Sequence, residues 1–300
     1  MSIRAFLKVI GRGTKGAGDL DREQAKILFS MILKGEVSDL ELGAFCLAMR
    51  FKGEAVSELM GFMDALESHL CLIDTGGRPT IVLPSFNGAR KQANLTPLLA
   101  GLLAQQGWTV IVQGIEKDPN RITSHAVFKE LSWPILESLS ECEHSLKTRL
   151  PIFCPTRILS PALHQLLEVR EQLGLRNSAH VLAKLLNPIG SASWLVSNYT
   201  HPDYAEKLKS YFQAREVNAI LMRGNEGEPT ASLQRLPAMH FHFADGNQKA
   251  SDEERFAEDN PFGSIDAVST SRLTQDILDG SLSCPSSIAR QVVQFSQLLV

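Results

Sequence analysis

Apolar residues recur at helical spacing through the first seventy positions. Leu20-Asp-Arg-Glu23 leads into Ala25, Leu28, Met31 and Ile32, which predicts a helix with Asp19 or Asp21 at its N-cap and Gly35 as its stop. Ser38 is placed to cap a second helix through Leu40, Leu42, Ala44, Phe45, Leu47 and Met49, ending at Lys52-Gly53. A third begins at Ser57 and runs through Leu59, Phe62 and Met63. The turn cluster Asp74-Thr-Gly-Gly-Arg-Pro79 then marks a boundary.

Beyond that boundary the period changes. Thr80–Leu83 reads as a short buried strand, Pro84–Lys91 as a polar loop, Asn94–Gln106 as an apolar helix and Thr109–Val112 as a second strand. Strand, loop, helix, strand is a βαβ unit, whose crossover requires parallel strands. Further buried strands are predicted at Leu150–Phe153 and Ala219–Met222. Between them Pro161–Leu186 reads as helical, with Glu168, Arg170 and Glu171 on its polar face, and Asn187-Pro188 ends it. His201-Pro-Asp opens another helix through Tyr204, Leu208 and Phe212. Past Pro237 the signal weakens, with closing helices over Ile265–Leu278 and Ser287–Leu299. The fold class is α/β with a small all-helical domain.

The chain has 300 residues, 44% of them hydrophobic, enough for one sizeable core or two modest ones. Pro97 and Gly101 interrupt the longest apolar run, well short of the roughly 18 residues a membrane span needs. Arg4 and Lys8 sit in an amphipathic N-terminal stretch that does not read as a secretory signal. The five cysteines are widely spaced with no C-x-x-C pair, which argues against a disulfide framework or zinc site and suits the cytoplasm. The net charge of −3 is segregated. Residues 1–18 carry Arg4, Lys8, Arg12 and Lys15 and no acid, whereas 250–266 carry Asp252, Glu253, Glu254, Glu258, Asp259 and Asp266 against Arg255.

Leu33-Lys-Gly-Glu-Val-Ser38 with Leu47-Ala-Met-Arg-Phe-Lys-Gly-Glu54 resembles the N-terminal helical domain of anthranilate phosphoribosyltransferases and related nucleoside phosphorylases. Leu173-Gly-Leu-Arg-Asn177 and Leu182–Pro188 resemble that family's LGxRTxxNLLGPLxNP segment. The resemblance implies a helical domain of residues 1–72 joined by about 160–188, an α/β domain of 73–159 and 189–300 with a mainly parallel sheet, and a homodimer.

Four motifs of the resembled enzyme are altered. The glycine loop that cradles pyrophosphate, GTGGD in the family, aligns with Pro84-Ser-Phe-Asn-Gly88. Pro84 removes an N–H, and Phe86 is expected to put a ring where phosphate oxygens would sit. KHGNR becomes Val112-Gln-Gly-Ile-Glu116, whose acid would repel a polyphosphate unless Lys117 compensates. The Asp-Glu pair that holds magnesium aligns with Pro229-Thr230, leaving Glu226 and Glu228 nearby. The HPA segment reads Ser160-Pro-Ala162, while Arg170 matches the family's aromatic-acid arginine. On this reading there are no catalytic residues, no metal and no cofactor.

The substituted loop carries its own cations. Arg90 and Lys91 are expected at a helix N-terminus, where anions are favoured, with Asn94 and Thr96 as further phosphate donors and Arg121 as another cation. Gly11-Arg-Gly13, Asp19-Leu-Asp-Arg22, Asn87–Pro97 and Arg176-Asn-Ser-Ala-His180 resemble the YbiB-type branch of the family, bacterial DNA-binding proteins. That resemblance implies a cytoplasmic homodimer binding DNA or RNA through backbone phosphates. Arg12, Lys15, Lys207 and Lys209 are the other candidate carriers, and a solvated helix face is the alternative for the N-terminal cations. Arg170 and Thr96 are candidates for a remnant ligand site. His240-x-His242 fits strand alternation better than a metal site. Two other functions stay open: a divergent phosphoribosyltransferase acting on an aromatic or nucleobase acceptor, with Glu226 or Glu228 holding metal, and a regulatory protein whose cleft binds a small ligand without turnover.

Overall fold

The computed structural model describes residues 2–190, 193–257 and 262–299. Expected acids Glu258 and Asp259 lie outside the described residues. The chain divides into two compact units, Met1–Cys71 with Leu159–Leu186, and Leu72–Ile158 with Asn187–Val300.

The first unit is helical. Asp21 caps Arg22–Leu33 and Ser38 caps Asp39–Lys52, each in a reciprocal capping box with Gln24 and Glu41 respectively. Helices Arg22–Leu33 and Val56–Glu67 cross closely because position 61 is glycine: a Cβ there would fall 2.2 Å from the Arg22 carbonyl oxygen. Phe29, Phe45 and Phe62 are fully buried around this crossing, with the 29 and 62 ring centroids 4.9 Å apart. Each such ring contributes about 1.5–3 kcal/mol by leaving water. Lys52 reaches Asp19 at 2.6 Å and the buried Glu58 at 2.7 Å. The segment 161–186 is not one helix. Gly174 adopts φ +68° and ends Pro161–Leu173, and a short helix, Ala179–Leu182, follows.

The second unit is a seven-stranded sheet. Its strands are β1 (Thr80–Ser85), β2 (Thr109–Gly114), β3 (Ile152–Pro155), β4 (Ser193–Tyr199), β5 (Ala219–Arg223), β7 (Met239–His242) and β8 (Gln248–Ser251). A small ladder of β6 (Arg235–Leu236) and β9 (Glu254–Arg255) stands apart. The order is β3-β2-β1-β4-β5-β7-β8, parallel through β5 and antiparallel at β7 and β8. Helix Thr96–Gln105 has no polar face and is buried with Ile81, Leu83, Val112, Phe128 and Phe153 in the core. Elements outside the sequence expectation include β4, helix Ser124–Glu130 capped by Thr123, the small strands β6, β8 and β9, and the extension of β1 through Pro84 and Ser85.

Candidate functional site

Strand order positions the site. From β1 the chain winds to β2 and β3 on one side, then returns to place β4 on the other side of β1. In parallel sheets the crevice at the carboxyl ends of strands, where the winding reverses, is the common ligand position. The carboxyl end of β1 leads into Ser85-Phe-Asn-Gly88. It lies against Gly114 of β2, where a Cβ would fall 2.0 Å from the Ser85 carbonyl oxygen.

The loop after β1 closes on two carboxylates of its own chain. Glu228 is 2% exposed. Its Oε1 accepts from the backbone N–H of Asn87 at 2.9 Å and of Gly88 at 2.8 Å. Its Oε2 accepts from the hydroxyls of Thr96 at 2.9 Å and Ser85 at 2.5 Å. Glu226 accepts from the N–H groups of Lys91 at 2.9 Å, Gln92 at 3.2 Å and Arg90 at 3.3 Å, and Arg121 approaches it at 3.6 Å. Burying a carboxylate costs several kcal/mol, and each hydrogen bond to a charged group returns about 1.5–3 kcal/mol. Four donors therefore satisfy the buried Glu228 carboxyl oxygens.

These glutamates ride on a two-residue hairpin turn. Asn225 and Glu228 exchange backbone hydrogen bonds at 3.1 and 2.9 Å, while Glu226 has φ +51° and Gly227 φ +88°. Left-handed conformation at both central residues is the type I′ turn. Gly227 suits it; Glu226 carries a strain of about 1–2 kcal/mol. The contacts of the Glu226 carboxylate and the bond from Asn87 Nδ2 to its carbonyl at 3.0 Å outweigh that strain.

A second layer fixes the loop. Asn94 is 1% exposed. It donates to the Ile122 carbonyl at 3.1 Å and Ser124 Oγ at 3.2 Å and accepts from the Thr96 N–H at 3.1 Å. Ala89 and Ile122 pair as a bridge, and Arg121 donates to the Gly88 carbonyl at 3.0 Å.

Several expected site residues take different places. Arg90 and Lys91 precede the helix, which starts at Thr96, so they sit on the loop and not at a helix N-terminus. Their backbone N–H groups face Glu226 and their side chains are exposed. Phe86 is buried at 4%. Asn94, Thr96 and Arg121 converge on the same cradle but are already engaged. Glu116 pairs with Arg157 at 2.8 Å, which neutralises its expected repulsion. Lys209 pairs with Glu206 at 2.7 Å and Lys207 lies 5.1 Å from the Tyr204 ring centroid. Arg12, Lys15 and Arg170 belong to the helical unit; the first two are exposed and Arg170 is partly buried. Sequence reasoning missed Ser85, Asn87 and the anion role of Glu228. Polar residues at the carboxyl end of a buried strand were the available signal.

A magnesium ion is what the resembled fold implies here. The residues do not fit it: Glu226 and Glu228 are consumed by N–H and O–H donors, and no cluster of three His, Cys, Asp or Glu among the described residues could hold a metal. No helix among them is long and apolar enough to cross a membrane.

The fold is of the anthranilate phosphoribosyltransferase type, as comparisons with known proteins show. Residues 4–70 match the helical bundle domain of the glycosyl transferase family. The chain is 38% identical to the uncharacterised protein YbiB of Escherichia coli K12, over 97% of this chain and 92% of the relative. It is 26% identical to the anthranilate phosphoribosyltransferase of Rhodopirellula baltica, over 73% of this chain and 64% of that one. Among solved structures, the Thermus thermophilus anthranilate phosphoribosyltransferase superposes with a TM-score of 0.70 at 20% identity, covering 91% of this chain and 83% of that one. The Saccharomyces cerevisiae enzyme, solved with PRPP and Mg, gives 0.67 at 13% identity over 93% and 80%. The chain belongs to the YbiB family, within the anthranilate phosphoribosyltransferase-like proteins.

Proposed function

We propose that this chain is a divergent phosphoribosyltransferase that takes a diphosphate-bearing ribose in the cradle of residues 85–96 and an aromatic or nucleobase acceptor beside it. One observation carries the reading: seven neutral donors, the N–H groups of 87, 88, 90, 91 and 92 and the hydroxyls of Ser85 and Thr96, converge on two adjacent anionic groups. Backbone N–H groups and hydroxyls fixed at a strand end suit phosphate oxygens, and they would stabilise the charge that develops on a departing diphosphate. Relatives named as anthranilate phosphoribosyltransferases support the substrate class. The test incubates the purified protein with phosphoribosyl pyrophosphate, magnesium and a panel of aromatic acids and nucleobases. The reading expects acceptor-dependent release of diphosphate with one ribosylated product. It fails if no acceptor is ribosylated, by the wild type or by a Glu226→Ala/Glu228→Ala variant.

A second reading, binding of DNA or RNA through backbone phosphates, is favoured by a separate observation. The side chains of Arg90 and Lys91 are exposed with no ion pair among the described residues, and so are those of Arg4, Lys8 and Lys15. Fluorescence anisotropy with an oligonucleotide at low and raised salt tests it. Binding that falls with salt and is lost on Arg90→Glu/Lys91→Glu supports it; no binding at low salt ends it. A homodimer through the helical unit is part of both readings, supported by the exposed Leu40, Leu47 and Phe51. Sedimentation at monomer mass would contradict it.

A further inference from the structure

We propose that the 225–228 hairpin is an internal pseudo-ligand: its two carboxylates occupy the phosphate cradle, and external diphosphate enters only when the hairpin withdraws. This rests on the phosphate reading of the cradle and adds its regulation.

Three features of the hairpin point to a displaceable occupant. First, it satisfies the cradle as a ligand would. Nearly all its ties to the 85–96 segment are hydrogen bonds from that segment to hairpin oxygens, including Gln92 Nε2 to Asn225 Oδ1 at 2.7 Å. Second, Glu226 stands at φ +51°, a left-handed conformation that is costly for a residue with a side chain. Third, its withdrawal would release one cation beside two that are already exposed. Arg121 now faces Glu226 at 3.6 Å, and the exposed side chains of Arg90 and Lys91 stand on the same loop. A diphosphate presents more acceptor oxygens and more charge than two carboxylates, so it gains from those three cations where the glutamates use one. The two occupants compete for the same N–H groups, and the equilibrium between them sets the apparent affinity.

The geometry supplies its own lock. A Cβ built on Gly227 lies 3.5 Å from the Asn87 Cβ, within the range of disulfide-bridged cysteines. The experiment titrates inorganic pyrophosphate into full-length wild type, Glu226→Ala/Glu228→Ala and Asn87→Cys/Gly227→Cys, the last oxidised and reduced. Folding is checked by circular dichroism. The carboxylate-free variant is expected to bind about tenfold or more tightly than wild type. The oxidised double cysteine should lose binding, and reductant should restore it. Equal affinity for locked and unlocked forms overturns the gate while leaving the phosphate site standing. If no form binds, gate and phosphate site both fall. Because the lock retains both glutamates, it remains decisive if the alanine variant does not fold.

Discussion

Gly227 packs on Asn87 so closely that a Cβ would fall 1.6 Å from the Asn87 Nδ2, the atom that donates to the Glu226 carbonyl. Space and backbone conformation thus demand glycine together, since φ at 227 is +88°. Gly227→Ala must displace either the amide or the hairpin. A loss of about 1–3 kcal/mol in urea unfolding is expected, with faster hydrogen exchange at the amides of 87, 88, 91 and 92. Unchanged exchange there would mean the hairpin does not depend on this contact.

Asn94 supports the loop from behind. Asn94→Ala leaves the Ser124 hydroxyl, the Ile122 carbonyl and the Thr96 N–H each short of a partner. A cost of about 1–3 kcal/mol follows from stranded buried polar groups, read by denaturant unfolding. Asn94→Asp restores only the acceptor toward Thr96 and should recover part of it.

In the helical unit, Lys52 and Glu58 are a buried pair, with side chains 8% and 0% exposed. Lys52→Met strands the Glu58 carboxylate and should destabilise by about 3–5 kcal/mol, whereas Lys52→Met with Glu58→Gln should recover much of that. Equal losses in the single and double variants would show that the pair is not coupled.

His180 gives the helical unit a pH dependence. Burial, with the charges of Arg176 and Arg170, pushes its pKa down to about 3. The folded state therefore binds its proton less readily than the unfolded state. Its contribution is present above about pH 6.5 and is lost progressively as pH falls toward 3. Thermal melts between pH 7 and 5 should show a falling midpoint, and His180→Gln should flatten the acid limb. A midpoint independent of pH in the wild type contradicts this.

The helical unit was legible because its signals are local. Asp21, Ser38 and Gly53 sit where caps must sit, and the apolar residues between them share one face. The βαβ unit from Thr80 to Gly114 was legible from its change of period. β4 was not: in Ser193–Tyr199 the apolar run is only Trp194-Leu-Val196, followed by polar Ser197 and Asn198 whose burial comes from neighbours distant in sequence. The signal sought in the loop after β1 was glycine. The donors that meet Glu228 there are instead backbone N–H groups, which any residue but proline supplies, with the hydroxyls of Ser85 and Thr96. Its occupant lies about 140 residues away in the chain, as in the Asn87–Glu228 bond, and no local pattern announces such a pairing. Asn225-Glu-Gly-Glu228 did carry a turn signal, but nothing in it says what the turn touches.

Titration calorimetry of phosphoribosyl pyrophosphate against wild type, Glu226→Ala/Glu228→Ala and that variant with Thr96→Val added tests the cradle most directly. With the competing carboxylates removed by Glu226→Ala/Glu228→Ala, the account predicts saturable binding, weakened about tenfold or more when Thr96→Val is added, because Glu228 no longer shares that hydroxyl. Absence of binding by the wild type and the carboxylate-free variant, or equal binding with and without the Thr96 hydroxyl in that background, would contradict it.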